Sequence, residues 1–402
     1  MQDVTAIIAH PAFGRATEAL RQDHDRFVQE IITLTEIPSP PFGEAVRAAA
    51  YLQMLAASGL EDVRQDDVGN VMGLRRGRGN GTLVAVAAHL DTVFPAGTDV
   101  TVRRDGTRLF APGIGDDTRG LAVLLALIRA MDAAGIVTEH DILFIGDVGE
   151  EGRGDLRGIR HLFEKGEYRE RISAFFSIDG SETQRLVTGA VGSNRYRVTF
   201  TGPGGHSFGE FGTVNPAWAM GDFLAGMARI DVPAKPKTTY SASVFGGGSS
   251  INAIPEEVWV DLDLRSEAPA ELSRIDAEMK RLGLAAVEEE NARNDTKSGP
   301  IAVKFQQLGA RPAGATPAGS RIVAASLDAI RAFGFEPETA CSSTDANIPM
   351  SLGIPAVTFG NGGTSGRAHS LEEWIDVEPG LSLRGLNAAL AAILGTAGFV
   401  AD

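Results

Sequence analysis

Hydrophobic residues recur along the chain at two spacings, and these predict alternating strands and helices. Short, continuously apolar runs, typical of buried strands, cover residues 84–89, 142–145, 175–178 and 356–359. Longer stretches with apolar residues three or four apart, typical of amphipathic helices, cover residues 17–35, 45–58, 121–131 and 321–333. This alternation indicates an α/β fold with a mostly parallel, mixed sheet flanked by helices.

The pattern changes near residue 190, where a second kind of domain is predicted. Its elements are a strand at 196–200, a helix at 215–229, strands at 241–245 and 258–265, a helix at 270–293 and a strand at 301–305. The order βαββαβ is ferredoxin-like and predicts an inserted α+β domain at 191–310. The Gly/Pro-rich stretch 308–317 is expected to be a return linker. The α/β domain would then comprise residues 1–190 and 311–402.

Composition and charge exclude several classes of partner. The chain has 402 residues, 43% of them hydrophobic, and a formal net charge of −15. The acidic charge argues against nucleic acid and against an anionic membrane surface. No apolar stretch is expected to reach the ~18 residues of a membrane span. The single cysteine, Cys341, excludes an internal disulfide and fits a reducing compartment, so a cytoplasmic location is expected.

Polar residues that can bind metal follow the predicted strands. His89 and Asp91 close the first strand, Glu150 and Glu151 follow the second, and Asp179 follows the third. The glycine-rich stretch that contains Asp116 and Asp117 precedes a helix, and His369 lies in the loop after the last strand. The carboxyl ends of parallel strands share one edge of a sheet, so these side chains should converge there. Imidazoles and carboxylates together predict a metal site.

Local geometry suggests separate roles within this group. Residues two apart on a strand share a face, so the Asp91 carboxylate is expected to hold the second ring nitrogen of His89. Adjacent residues in an extended chain point in opposite directions. One of Glu150 and Glu151 could therefore bind metal while the other handles a proton.

These motifs, in this order, resemble the zinc-dependent exopeptidase and deacylase family that includes carboxypeptidase G, acetylornithine deacetylase, succinyl-diaminopimelate desuccinylase, tripeptidase T and carnosinase. The resemblance covers nearly the whole chain after about residue 20. It implies two divalent metal ions, with zinc expected and cobalt or manganese as alternatives. It also implies five ligands, of which His89 and Asp179 bind the first ion, Asp116 bridges, and Glu151 and His369 bind the second. Glu150 would then be the general base.

The resemblance also implies roles for the inserted domain, as a lid through which family members often form homodimers. His206, in a Gly-Gly-His-Ser motif, would stabilise the oxyanion, and Asn252 and Arg265 would hold the substrate's carbonyl and carboxylate. Arginine suits a carboxylate because its planar fork pairs two oxygens at once. The other histidines, which lack such partners, are expected to be structural: His10, His24, His140 and His161. The role of Asp345 stays open.

One departure from the family, one backbone feature implied by the resemblance and two alternative functions complete the sequence-based interpretation. The family commonly has lysine after the aspartate pair, whereas this chain has Thr118 and Arg119, and the resemblance implies a cis peptide bond between Asp116 and Asp117. Because Asp179 is aspartate, as in the di- and tripeptidases, a small-peptide exopeptidase is favoured, with cleavage from the amino end as one possibility. An N-acyl amino acid deacylase or carboxypeptidase is the alternative. A non-catalytic binding protein is the third, and the complete set of predicted ligands and base argues against it.

Overall fold

The structure, a computed structural model, describes residues 3–79 and 81–400. The chain divides into two compact units: the first unit runs to Ala190 and resumes at Ala315, and the second unit spans Val191–Gly314. The helices are α1 (Val4–Ala9), α2 (Pro11–Gln22), α3 (His24–Thr35), α4 (Ala45–Ala56), α5 (Arg119–Ala134), α6 (Arg157–Glu164), α7 (Pro216–Met227), α8 (Pro269–Arg293), α9 (Arg321–Ala332), α10 (Asn347–Ser351) and α11 (Pro379–Ala397).

The strands of the described residues form one large sheet of nine strands, two sheets of four strands and two sheets of two strands. In chain order they are β1 (Glu61–Gln65), β2 (Val71–Arg75), β3 (Leu83–His89), β4 (Arg103–Asp105), β5 (Arg108–Phe110), β6 (Val137–Thr138), β7 (Asp141–Asp147), β8 (Ile172–Ile178), β9 (Arg185–Ala190), β10 (Gly192–Thr201), β11 (Gly205–His206), β12 (Thr238–Gly247), β13 (Ala253–Ile254), β14 (Glu257–Ser266), β15 (Ala302–Arg311), β16 (Gly314–Ala315), β17 (Glu338–Ser342), β18 (Ala356–Phe359), β19 (Thr364–Gly366), β20 (Trp374–Asp376) and β21 (Phe399–Val400).

The large sheet carries the predicted ligand segments at one edge. Its order is β1-β2-β7-β3-β8-β18-β9-β16, with β17 paired to β9, and β7, β3, β8 and β18 run parallel at its centre. Alternate residues of β3 face two apolar layers: Val84 and Val86 pack with α5, and Ala85 and Ala87 pack with α6. Because both faces are covered, these strands are buried and their carboxyl ends open together at one edge. The predicted mainly parallel sheet is confirmed.

The second unit has the predicted ferredoxin-like arrangement. Its strands form an antiparallel sheet in the order β12-β14-β10-β15, and the chain passes through β10, α7, β12, β14, α8 and β15. Phe200, Phe223 and Met279 belong to the core between this sheet and its two helices.

Two expectations about elements are wrong. The single helix at 17–35 is two helices, because Asp23 leaves the helical conformation (ψ 3°) and its carboxylate accepts a hydrogen bond of 2.7 Å from Arg129. The linker at 308–317 is partly strand, because β15 continues to Arg311 in pairing with β10.

One helix, Pro379–Ala397, is long and apolar enough to span a membrane by length and composition alone. Because 78% of its apolar window is buried inside the protein, it is equally a core helix.

Candidate metal centre

His89 lies fully buried at the end of β3, and a backbone carbonyl fixes its ring. Its Nδ1 lies 2.9 Å from the Asp91 backbone oxygen, whereas the nearest Asp91 carboxylate oxygen is 3.8 Å away. A carbonyl only accepts, so Nδ1 carries the hydrogen and Nε2 is left for a metal. The expected carboxylate contact is therefore wrong, because that carboxylate accepts instead from the backbone amides of Glu150 and Glu151, at 2.9 and 2.8 Å.

Asp116 lies between the two predicted ligand histidines. One of its carboxylate oxygens is 2.9 Å from Nε2 of His89, and the other is 3.0 Å from Nε2 of His369. His369 Nε2 is also 2.9 Å from Oε1 of Glu151. The peptide bond between Asp116 and Asp117 is cis, as the resemblance implies. The carboxylate therefore faces one imidazole with each oxygen.

Two overlapping groups of side chains could each hold a metal ion. The first consists of His89, Asp116 and Glu151, and the second of His89, Asp117 and Asp179, with the donor atoms of each group within 4.8 Å of one another. Asp117 was not predicted as a site residue. It is fully buried, and its carboxylate accepts from the backbone amide of His89 and from the Asn361 side chain, both at 3.2 Å.

The pKa values of these groups are shifted by burial and by the charges of their neighbours. Burial, with the negative charge of Asp116, raises the pKa of Asp179 to about 7, and burial raises the pKa of Asp117 well above its usual range. Contacts with Asp116 and Glu151 raise the pKa of His369 to about 10. Buried carboxylates at this density are costly unless cations compensate them. The imidazole and carboxylate donors therefore fit divalent cations such as zinc.

Glu150 and Glu151 both follow β7 and are both buried. The two oxygens of the Asp91 carboxylate each accept one of their backbone amides. Asp91 therefore fixes the course of the chain that carries the predicted base and a predicted ligand. Its backbone carbonyl orients His89 as well, so one residue positions groups from two strands.

Glu373 is a residue of this site that sequence reasoning missed. Its carboxylate accepts from the backbone amides of Gly113, Gly115 and Asp116 at 2.8, 2.8 and 3.0 Å. Burial, opposed by these amides and reinforced by the charge of Asp116, raises the pKa of Glu373 to about 7. The only sequence signal is a glutamate four residues after His369, which a solvated glutamate would give equally well.

Arg119 and Asn361 join the two parts of the first unit beside the site. The fully buried Arg119 donates to the backbone oxygens of Asn361 and Asp376 at 3.2 and 3.0 Å, and to the Ser382 hydroxyl at 2.7 Å. The Asn361 side chain in turn donates to Asp117. An arginine two positions after the aspartate pair thus anchors the loop that leads to His369.

Asp345 lies next to another buried carboxyl. Burial, followed by the negative charge of Asp147, raises the pKa of Asp345 well above its usual range, and burial raises the pKa of Asp147 to about 7. Two like charges close together in a buried site disfavour the ionisation of each other, which adds to the effect of burial on both pKa values.

The three residues predicted to bind substrate lie in the second unit. His206 is exposed, and its Nδ1 accepts from the backbone amides of Phe208 and Gly209, both at 3.2 Å, so Nε2 carries the hydrogen. The Asn252 side chain accepts from Ser250 at 2.6 Å. Arg265 donates to Asp263 at 2.7 Å, so its side chain already has an anionic partner.

Comparison with known proteins finds a matching family and a relative that aligns over most of the chain. Residues 85–393 match the model of the peptidase family M20/M25/M40. The chain is 27% identical over 355 residues to succinyl-diaminopimelate desuccinylase of Corynebacterium glutamicum, covering 86% of this chain and 90% of that protein.

Two solved structures share the fold. A tripeptidase from Staphylococcus aureus superposes with a TM-score of 0.76 at 21% identity, covering 92% of this chain and 98% of that one. YXEP of Bacillus subtilis, described as a dinuclear metal-binding peptidase, superposes with a TM-score of 0.66 at 17% identity, covering 93% and 99%.

Proposed function

The chain belongs to the peptidase family M20/M25/M40 and is a hydrolase, and from this premise we propose that it is an exopeptidase that cleaves amide bonds of di- and tripeptides. The observation that carries the proposal is the Asp116 carboxylate, which faces His89 with one oxygen and His369 with the other. That contact pattern supports a pair of divalent cations bridged by one carboxylate.

The five predicted ligands divide between the two cations. His89 and Asp179 would hold the first, Glu151 and His369 the second, and Asp116 both. Zinc is the metal we propose, and cobalt and manganese suit the same donors. When bound, the cations would polarise the amide carbonyl and lower the pKa of a water molecule.

The remaining steps fall to side chains of the chain itself. Glu150 would accept the proton of the attacking water and pass it to the leaving amine. His206 would donate from Nε2 to the oxyanion, a role that the hydrogen bonds to its Nδ1 support. Asn252 would hold the substrate carbonyl, and Arg265 a carboxylate once released from Asp263.

A deacylase of N-acyl amino acids is the second candidate, and the 27% identity to a desuccinylase favours it. We also propose that the protein is cytoplasmic and that it forms a homodimer through the second unit. The dimer is supported by β12, an edge strand of its sheet on which Val244 and Phe245 are 49% and 53% exposed. Light scattering after gel filtration tests it.

The first experiment is release of free amino acids from a mixed set of dipeptides, tripeptides and N-acyl amino acids by the zinc-loaded protein. Glu150→Ala should abolish release while metal content stays at the wild-type level. Glu164→Ala, which removes an exposed glutamate from α6, is the matched control. Cleavage of N-acyl amino acids alone would favour the deacylase, and full activity of Glu150→Ala would refute the role of Glu150.

A further inference from the structure

Most arginine side chains of the first unit have a hydrogen-bond, ion-pair or ring partner among the described residues. Arg129, for example, binds Asp23 and Glu30. Among the described residues of this unit, three arginine side chains have no hydrogen bond, ion pair or ring contact, and each lies within six positions of a predicted ligand: Arg153, Arg185 and Arg367. In a chain with a net charge of −15, unpaired guanidinium groups close in sequence to predicted metal ligands indicate an anionic ligand.

Arg185 differs from the other two because it lines a cavity. Arg153 and Arg367 are exposed, whereas Arg185 is half-buried at the start of β9. The cavity has a volume of about 240 Å³, and Asp179, Thr358 and Ser365 line it together with Arg185. This volume suits one small polar group of a substrate rather than a long chain.

The walls of this cavity belong to segments that carry predicted ligands. Asp179 follows β8, and Ser181 is joined to Ser365, four residues before His369, by a hydroxyl hydrogen bond of 2.8 Å. A group bound in the cavity would therefore lie next to the predicted metal ligand Asp179.

We infer that Arg185 binds a substrate carboxylate other than the α-carboxylate, which makes the preferred substrates acidic peptides or amino acids whose acyl group ends in a carboxylate. The inference rests on the proposed function, because it assigns a substrate class to the same site. A half-buried guanidinium without a partner is costly, and its planar fork matches a carboxylate bidentately. Asp179, which lines the same cavity, is a predicted metal ligand, and Glu182 is exposed, so an incoming carboxylate is the partner that remains.

The test compares substrates that differ only by a carboxylate and a carboxamide. The zinc-loaded protein is assayed on the pairs Ala-Glu and Ala-Gln, Glu-Ala and Gln-Ala, and N-succinyl-alanine and N-succinamyl-alanine. We expect kcat/KM to favour the additional carboxylate in at least one pair by about tenfold or more, the size of a charge-assisted hydrogen bond. Arg185→Gln should remove this preference by raising KM, and should leave the carboxamide substrates within about twofold.

Two further variants control the result. Arg185→Lys keeps the charge without the fork and should retain part of the preference. Arg169→Gln removes an exposed arginine before the opposite end of β8 and should behave as wild type.

The test separates failure of the inference about Arg185 from failure of the proposed function. Hydrolysis with no preference for the acidic member of any pair, or a preference that Arg185→Gln leaves intact, would overturn the inference but not the proposed function. No hydrolysis of any substrate with zinc, cobalt or manganese would overturn both.

Discussion

Replacing Glu373 by glutamine tests whether the loop around Asp116 is held in place by the segment that follows His369. The Glu373 carboxylate uses one oxygen for Gly113 and the other for Gly115 and Asp116. Glutamine has one carbonyl oxygen, so it can keep two of these bonds at most. Its NH₂ group would then face the Gly113 amide, donor against donor.

The loss of stability in this variant follows from the burial of Glu373. Glu373 is 1% exposed, so water cannot replace the lost acceptor. A buried donor without a partner costs about 1–3 kcal/mol, and loss of the charge weakens the bonds that remain. We expect the free energy of unfolding to fall by about 2–4 kcal/mol. Because residues that orient ligands contribute about 10–100-fold to metal affinity, zinc binding should weaken by a similar factor.

The assay is competition for zinc against a chromophoric chelator, together with urea unfolding of the metal-free protein. Glu372→Gln is the matched control, since Glu372 is exposed and adjacent. The reasoning is refuted if Glu373→Gln binds two zinc ions with the affinity of the wild type.

Two other predictions concern metal uptake and stability. The pKa of His369 is raised to about 10 by its two acidic neighbours, so it is protonated at pH 7; zinc uptake should release protons and tighten between pH 6 and 10. Identical binding enthalpies in buffers of different ionisation enthalpy would contradict this. Replacing Arg129 by methionine should cost about 2 kcal/mol in urea unfolding, because it removes one of the two cations, Arg129 and Arg26, that pair with the buried Glu30. Arg331→Met, which breaks an exposed pair with Asp328, should cost about 0.5 kcal/mol, and an equal effect of both would refute the burial argument.

The elements that sequence predicted well are those whose signal is local. The strands that end at His89, Ile178 and Phe359 are continuous apolar runs, because the sheet is covered on both faces. Their ends could therefore be found without knowing the neighbours. The parallel centre of the sheet then brings their polar residues to a common edge.

Features that depend on distant partners could not be predicted in this way. The break at Asp23 depends on Arg129, which lies 106 positions further along the chain. The strand that continues to Arg311 depends on pairing with β10, which overrides the glycine and proline content of the stretch. In the sequence Glu373 resembles a surface residue, because the three backbone amides that donate to it lie far away in the chain.

The contacts of Asp91, Glu373 and Arg119 share one physical role. Asp91 joins the end of β3 to the chain after β7, Glu373 joins the segment after His369 to the loop of Asp116, and Arg119 joins the start of α5 to the loop after β18. Each links two segments that carry predicted ligands, and each does so through backbone amides or carbonyls. Rigid backbone contacts of this kind hold ligands at metal-binding geometry at low entropic cost. The ligand types can therefore be read from the sequence, but their positions depend on polar residues whose importance appears only in the folded chain.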